Sequence, residues 1–326
     1  MKLPWILAGL YVLGLPSQDA LAQSCSASAT SLNFGQVSPI RQNGVSTTGT
    51  VTVTCNWQGA GNRRNARICL NVGSGNAAGN RNSRSLANGT RRMAFDLYQD
   101  PAHTQVWGSI RSADGSTPLI VTATRGAGTS STHTASFYGR IMPNQPTVPS
   151  ANNGNTVHRN TFSGAQTSIN VEFYTSVPSS CAAITTTSGA FPFTVTATVI
   201  NECTINTTNV NFGTAGMLDQ ALNATGALSV HCTNGNAYRV ALNGGVSNNV
   251  ASRYMARATG VSIVSYQLFT DAGRNLVWGD GTAGTSMVTG TGTGRTSTLT
   301  IHGRVPAQRT PPPGAYRDTI TATISF

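Results

Sequence analysis

Phe191-Pro192-Phe193-Thr194-Val195-Thr196-Ala197-Thr198-Val199-Ile200 puts Phe191, Phe193, Val195, Ala197 and Val199 on one face of an extended chain, with threonines on the other. The stretch lies between two halves of a 326-residue chain, where a plain connector needs no apolar stripe. Two readings stay open. Either it is the first strand of the second half, or it is a donor strand that hydrogen-bonds along an open sheet edge and inserts alternate side chains into a groove. The choice decides whether the halves are complete sandwiches or sandwiches that each lack a strand.

Outward from this stretch, the halves repeat one another. Cys25, Leu32-Asn33-Phe34-Gly35 and Cys55 recur as Cys203, Val210-Asn211-Phe212-Gly213 and Cys232. Arg92-Met93, Leu97-Tyr98-Gln99-Asp100 and Val106-Trp107-Gly108 are matched by Tyr254-Met255, Leu268-Phe269-Thr270-Asp271 and Val277-Trp278-Gly279. Tyr138-Gly139-Arg140-Ile141 returns as His302-Gly303-Arg304-Val305, and 167–174 as 318–326. These matches predict homologous domains at 23–176 and 201–326, joined by a Ser-, Thr-, Ala- and Pro-containing segment, 177–200. Short runs such as 50–55, 94–98, 238–242 and 265–269 alternate with period two, and Gly- and Asn-rich turns punctuate them. The expected fold is all-β: antiparallel strands in two sandwiches.

The repeat suggests the bridges Cys25–Cys55 and Cys203–Cys232. Cys69 and Cys181 have no counterpart and are left to pair with each other, although spacing alone does not fix connectivity. Six cysteines suit an oxidising compartment. Lys2, the apolar run 3–15 and Ala20-Leu21-Ala22 predict an export signal over 1–22.

Beyond that signal the chain has twenty arginines, no lysine and nine acids. Twelve arginines against four acids fall in the first domain, eight against five in the second. Such a surplus favours anionic partners, or simply keeps a secreted protein soluble. Arg63, Arg64, Arg67, Arg81, Arg84, Arg91 and Arg92 crowd one part of the first domain. Catalysis has no foothold: His103, His133, His158, His231 and His302 are scattered, and no metal-ligand spacing, nucleophile elbow or phosphate loop occurs. Gly290-Thr291-Gly292-Thr293-Gly294 lacks the lysine of a phosphate loop and reads as a hairpin turn. Asp100 and Asp271 read as turn caps. No enzyme, cofactor, metal or nucleic-acid partner is expected.

The two Asn-Phe-Gly motifs, the Phe-x-Val-x-Ala-x-Val stretch before Cys203, Gly303-Arg304-Val305 and Gly314-Ala315-Tyr316-Arg317-Asp318-Thr319-Ile320-Thr321-Ala322-Thr323-Ile324 together resemble the spore coat protein U family, which includes subunits of archaic (Csu-type) chaperone-usher pili. The resemblance is denser over 191–326. Over 23–176 the Gly-x-Tyr-x-Asp motif is absent, with Ser163-Gly164-Ala165-Gln166 in its place. It implies two incomplete immunoglobulin-like, pilin-type sandwiches completed by donor strands, a periplasmic chaperone, an outer-membrane usher and a next subunit that supplies a strand. Two domains with no donor-like segment before Cys25 resemble a tip adhesin that would mediate attachment and biofilm formation at the cell surface.

On this reading 191–199 completes the first domain. Ile320, Ala322, Ile324 and Phe326 then border an open acceptor groove in the second, which takes a chaperone strand and later the next subunit's. The longer loops 57–67, 73–90 and 142–163 nominate Trp57, Arg63, Arg64, Arg67, Pro146, Val148 and Pro149 as contacts to a hydrophobic or anionic surface. A structural fibre or coat subunit, and a solitary secreted glycan- or nucleic-acid-binding protein, are the competing classes.

Overall fold

The computed structural model describes residues 23–59, 61–77 and 84–326. The expected export signal and Arg81 lie outside the described residues. Half of the chain is strand and 4% helix, so the all-β expectation holds.

The N-terminal sandwich is built from β1 (Ser24–Ala29), β2 (Leu32–Val37), β3 (Val45–Asn56), β4 (Asn65–Val72), β5 (Ser85–Asn88), β6 (Arg91–Tyr98), β7 (Leu119–Thr124), β8 (Ser130–Ile141), β9 (Thr156–Phe162), β10 (Thr167–Tyr174) and β11 (Phe193–Val199). One sheet runs β1-β3-β8-β6-β5-β9-β11-β2 and faces a second, β10-β4-β7. The C-terminal sandwich uses β12 (Cys203–Thr207), β13 (Leu222–Cys232), β14 (Ala237–Leu242), β15 (Arg253–Arg257), β16 (Ile263–Phe269), β17 (Val288–Thr291), β18 (Thr296–Val305), β19 (Tyr316–Arg317) and β20 (Ala322–Ser325). Its sheets run β12-β13-β18-β16-β15-β19 and β17-β14-β20. Apart from the parallel pair β11–β2, the paired strands are antiparallel, and alternate residues such as Val51, Val53 and Cys55 point into the core.

The recurring motifs have a common physical cause. Asn33 accepts the Gly35 N–H at 2.9 Å and Asn211 the Gly213 N–H at 2.9 Å, and both glycines hold positive φ (70° and 75°). The turn aims Phe34 and Phe212 at Gly139 and Gly303 of the facing strands. A Cβ on Gly139 would lie 2.8 Å from Leu32 and 2.9 Å from Phe34, and one on Gly303 2.8 Å from Val210 and Phe212. Trp107 and Trp278 are fully buried and donate from Nε1 to the Leu70 and Val240 carbonyls, at 2.8 and 2.9 Å. Asp100 and Asp271 accept backbone N–H groups four and five residues on, which closes equivalent loops. At Asp100 desolvation is the largest single influence and raises the pKa, but the hydrogen bonds from Gln105 and Thr104 together outweigh it and the carboxyl lies below its ordinary value; at Asp271 the Leu276 N–H bond leads, and the carboxyl is lowered against desolvation.

Two of the repeat matches are corrected by the structure. Arg84 is the counterpart of Arg253, not part of an exposed cluster. Both guanidiniums are fully buried; Arg84 bonds the Gly73 and Trp107 carbonyls and Asp96, and Arg253 bonds the Asn243 and Leu242 carbonyls and Gln267. Tyr254-Met255 therefore answers Ser85-Leu86 and not Arg92-Met93. Likewise Arg159-Asn160-Thr161-Phe162 is the counterpart of Arg317-Asp318-Thr319-Ile320: Asn160 accepts the Ala77 N–H at 3.1 Å where Asp318 accepts that of Val246 at 2.9 Å. Residues 163–166 are thus an insertion and no stand-in for the Gly-x-Tyr-x-Asp motif.

Cys25 is bonded to Cys55, Cys203 to Cys232 and Cys69 to Cys181. Residues 200–202 separate β11 from β12, and they are held from both sides. Asn201 donates to Asn155 and to the Asn153 carbonyl, at 2.8 Å each, and the Thr233 hydroxyl donates to the Ile200 carbonyl at 3.0 Å. Glu202 bonds Ser38 and lies 3.5 Å from Arg41. The 147–153 loop adds Asn234 Nδ2 to the Thr147 carbonyl, the Ser150 N–H to the Asn234 carbonyl, and the Ala237 N–H to Asn153.

Candidate functional site

In the N-terminal sandwich, β11 lies between β9 and β2. It pairs Phe193 with Phe162 and Val199 with Thr156 on one side, and Val195 with Leu32 and Val199 with Val37 on the other. Phe191, Phe193, Val195, Ala197 and Val199 all fall inward, none more than 4% exposed. Phe193 stacks on Phe162 at 4.7 Å and meets Phe137 edge-on, and Phe191 stacks on Trp107 at 5.9 Å. Burying these five side chains is worth on the order of 10 kcal/mol in gross transfer terms. The sheet edges of β9 and β2 are also paired. The approach to β11 is anchored by the Cys69–Cys181 bridge and by the Ser188 hydroxyl, which donates to the Cys25 carbonyl at 2.6 Å.

The C-terminal sandwich has the same walls without the strand. Between β19 and residues 207–213 runs a groove of about 760 Å³, lined by Val210, Phe212, Leu242, Met255, Tyr266, Leu268, Ile301, Ile320 and Ala322 among others. A further hollow of about 610 Å³ continues it past Phe212 and Met255 to Leu218, Val264 and Val305. Where Leu32 and Phe34 are buried under β11, Val210 and Phe212 are half-exposed, and 208–213 forms no strand. The floor is polar at one point: Tyr266 donates to Asp318 at 2.7 Å. Burial, then that bond, raises the Tyr266 pKa well above the usual phenol value.

Ile320 and Ala322 line this groove. Ile324 packs partly into the core on β20, and Phe326, 47% exposed, lies at the other end in a separate cleft with Asn153 and Tyr238. The opening is therefore bordered by 316–322, and not by the whole 318–326 run.

The nominated surface residues separate into three groups. Trp57 is fully buried, edge-on to Phe173 with Nε1 donating to Ser131 at 2.8 Å, and makes no outward contact. Val148 is buried, and Pro146 and Pro149 are half-buried where the 142–155 loop meets the C-terminal sandwich, Pro149 bridging to Asn234. That loop is a seam, not a binding finger, and its continuation is β9. Arg63 and Arg64 are exposed, while Arg67 is half-buried with Nη1 donating to the Pro178 carbonyl at 2.5 Å. Among the described residues, no group of three or more His, Cys, Asp or Glu side chains could hold a metal ion, and no helix is long and apolar enough to cross a membrane.

The model of the Spore Coat Protein U domain matches residues 14–160 and again 189–323, the second match taking in β11 through β19 and the first two residues of β20. The chain belongs to that family. Protein U of Myxococcus xanthus is 32% identical over 129 residues, which are 36% of this chain and 71% of that protein. The fold is similar to that of the CsuC–CsuE chaperone–tip adhesion subunit pre-assembly complex of Acinetobacter baumannii, with a TM-score of 0.52, 17% identity, 93% of this chain and all of that one covered. The CupB6 tip adhesin of Pseudomonas aeruginosa aligns over 93% of both chains at 10% identity and a TM-score of 0.40.

Proposed function

We propose that this family member is the tip subunit of a chaperone-usher pilus and attaches the fibre to a surface in biofilm formation. The observation that carries the reading is one groove in two states, filled by β11 in the N-terminal sandwich and open in the C-terminal one. An open groove with unpaired edges and apolar walls invites strand addition and, unprotected, aggregation. A periplasmic chaperone would cover it first, and at the outer-membrane usher the next subunit's strand would replace the chaperone's. Among the described residues, two candidates for an outgoing donor are in use: β11 completes its own sandwich, and β1 is paired along β3 and bonded through Cys25. That supports the tip position over a shaft or coat role. The similarity in fold to a tip adhesion subunit seen with its chaperone agrees with it.

Expression of the full chain in a periplasm with and without its chaperone tests this directly. We expect recovery only as a 1:1 complex, from which a peptide of alternating apolar residues displaces the chaperone. A stable monomer that takes up no strand would overturn the assignment.

A further inference from the structure

We infer that the free pole of the N-terminal sandwich binds an acidic polysaccharide through Arg63, Arg64, Arg67 and Arg125. The inference rests on the adhesive role proposed above and adds the ligand class and the residues.

The repeat identifies the pole. In the C-terminal sandwich the end that carries Cys203–Cys232 and the Thr233–Asn236 turn is the end covered by the N-terminal sandwich, through Ser150, Asn153 and Thr147. The equivalent end of the N-terminal sandwich carries Cys25–Cys55 and faces away from the seam. Four residues connect β13 to β14 there, whereas the loop after β3 has eight and includes Arg63 and Arg64, both exposed.

The fold brings Arg125 to the same place. Its N–H donates to the Arg64 carbonyl at 2.8 Å, because β4 and β7 pair Asn65 with Thr124. Arg67 enters from β4, tied by one nitrogen to Pro178 and with its Nε buried and unpartnered. In the three segments that build this pole, 56–67, 124–131 and 172–187, the only acid is Glu172. Among the described residues Arg63, Arg64 and Arg125 form no ion pair, whereas Arg41 and Arg84 elsewhere in this half do.

The chemistry of this surface selects the ligand. Guanidiniums on neighbouring loops can each take a carboxylate or sulfate bidentately, and a chain of repeating anions engages several at once. A nucleic-acid platform would need freely exposed rings for stacking, whereas Trp57 is buried edge-on to Phe173, and Phe173 and Tyr174 are themselves half-buried. A bilayer surface would need a broader apolar patch than Val177, which is 61% exposed, provides.

The test uses the full chain with its C-terminal groove occupied by a complementing peptide, on immobilised polygalacturonate. The variant R63S/R64S/R125S is compared with R159S/R239S/R309S, which removes the same charge from exposed sites away from this pole. Removing three guanidiniums, Arg63 and Arg64 exposed and Arg125 half-buried, should weaken binding about tenfold, while the second variant stays near the parent. Equal weakening of both variants, absence of binding by the parent, or equally pole-dependent binding of single-stranded DNA would overturn the inference. Peptide uptake measured on the same samples tests the assembly reading separately, since its failure would sink that reading and leave the polysaccharide result standing.

Discussion

Asn160 and Asp318, matched positions in the two grooves, show how a single side chain registers whether a strand is present. Asn160 is buried against β11 and donates to the Ser74 and Ser85 carbonyls, whereas Asp318 sits at the open groove with Tyr266 as its partner. His158, two residues before Asn160 and opposite Ala197 of β11, is fully buried with Nδ1 3.3 Å from the Thr156 carbonyl and Nε2 unpartnered. Burial lowers its pKa; the bond to Thr156 opposes this, and Arg91 and Arg92 reinforce the lowering. The unfolded chain, with an ordinary histidine pKa of about 6.5, then binds the proton more readily than the folded one, so stability is complete above that pH and is lost as pH falls through it. Chemical unfolding of the N-terminal sandwich should thus weaken from pH 7.5 to 5.5, and His158→Gln should flatten the profile; an unchanged slope in the variant would reject this origin. None of it was legible in the sequence, where five scattered histidines look alike. The buried arginines escaped for a similar reason. Arg84 stands in a run of arginines, and only the carbonyls of Gly73 and Trp107 around it reveal a structural cation. Replacing it with Met strands those acceptors and Asp96, and we expect a loss of about 3–5 kcal/mol in denaturant unfolding.

At the scale of the element, the stripe Phe191 to Val199 carried the fold. Period-two alternation in a supposed connector is legible because each apolar side chain must have a wall to meet. Which sandwich supplies the wall is a tertiary matter, settled by the β9 and β2 edges that flank β11. Two repeat matches slipped because β5 and β6 form a hairpin with similar residues on both arms, and because 163–166 is inserted only in the first copy. The C-terminal groove was legible only through the family resemblance, and its borders were not, since 208–213 forms no strand. Phe193 has stacked or edge-on contacts with Phe162, Phe137, Trp107 and Phe191, so Phe193→Ala should cost the N-terminal sandwich about 3–5 kcal/mol. Thermal unfolding of that half should drop while peptide uptake by the C-terminal groove is unaffected. Coupled loss of both would mean that β11 serves the two sandwiches together.

Across the whole molecule, the cationic pole belongs to one sandwich and the open groove to the other, and what joins them is the seam around 200–202. Surface loops predicted from length alone to be adhesive fingers include this seam, because a long loop reads the same whether it meets solvent or a neighbouring domain. Its bonds are many and local: Asn153 bonds both Asn201 and Ala237, Ser150 meets Asn234 and Asn236, and Glu202 reaches Ser38 and Arg41. Residues 200–202 are too few to act as a flexible linker even without those bonds, since three residues span at most about 10 Å. In the proposed tip role, a subunit built this way would carry load from the cationic pole to the fibre without a hinge. Asn153→Ala combined with Glu202→Ala removes two of the bridging side chains, those that hold the Ala237 N–H and Ser38, while leaving both cores untouched. The parent should give small-angle scattering that fits one rigid arrangement, and the double variant should show a broadened distribution of interdomain distances with each half unfolding at its original temperature. Identical scattering from the two would show that the Asn153 and Glu202 side chains are not what fixes the arrangement of the halves.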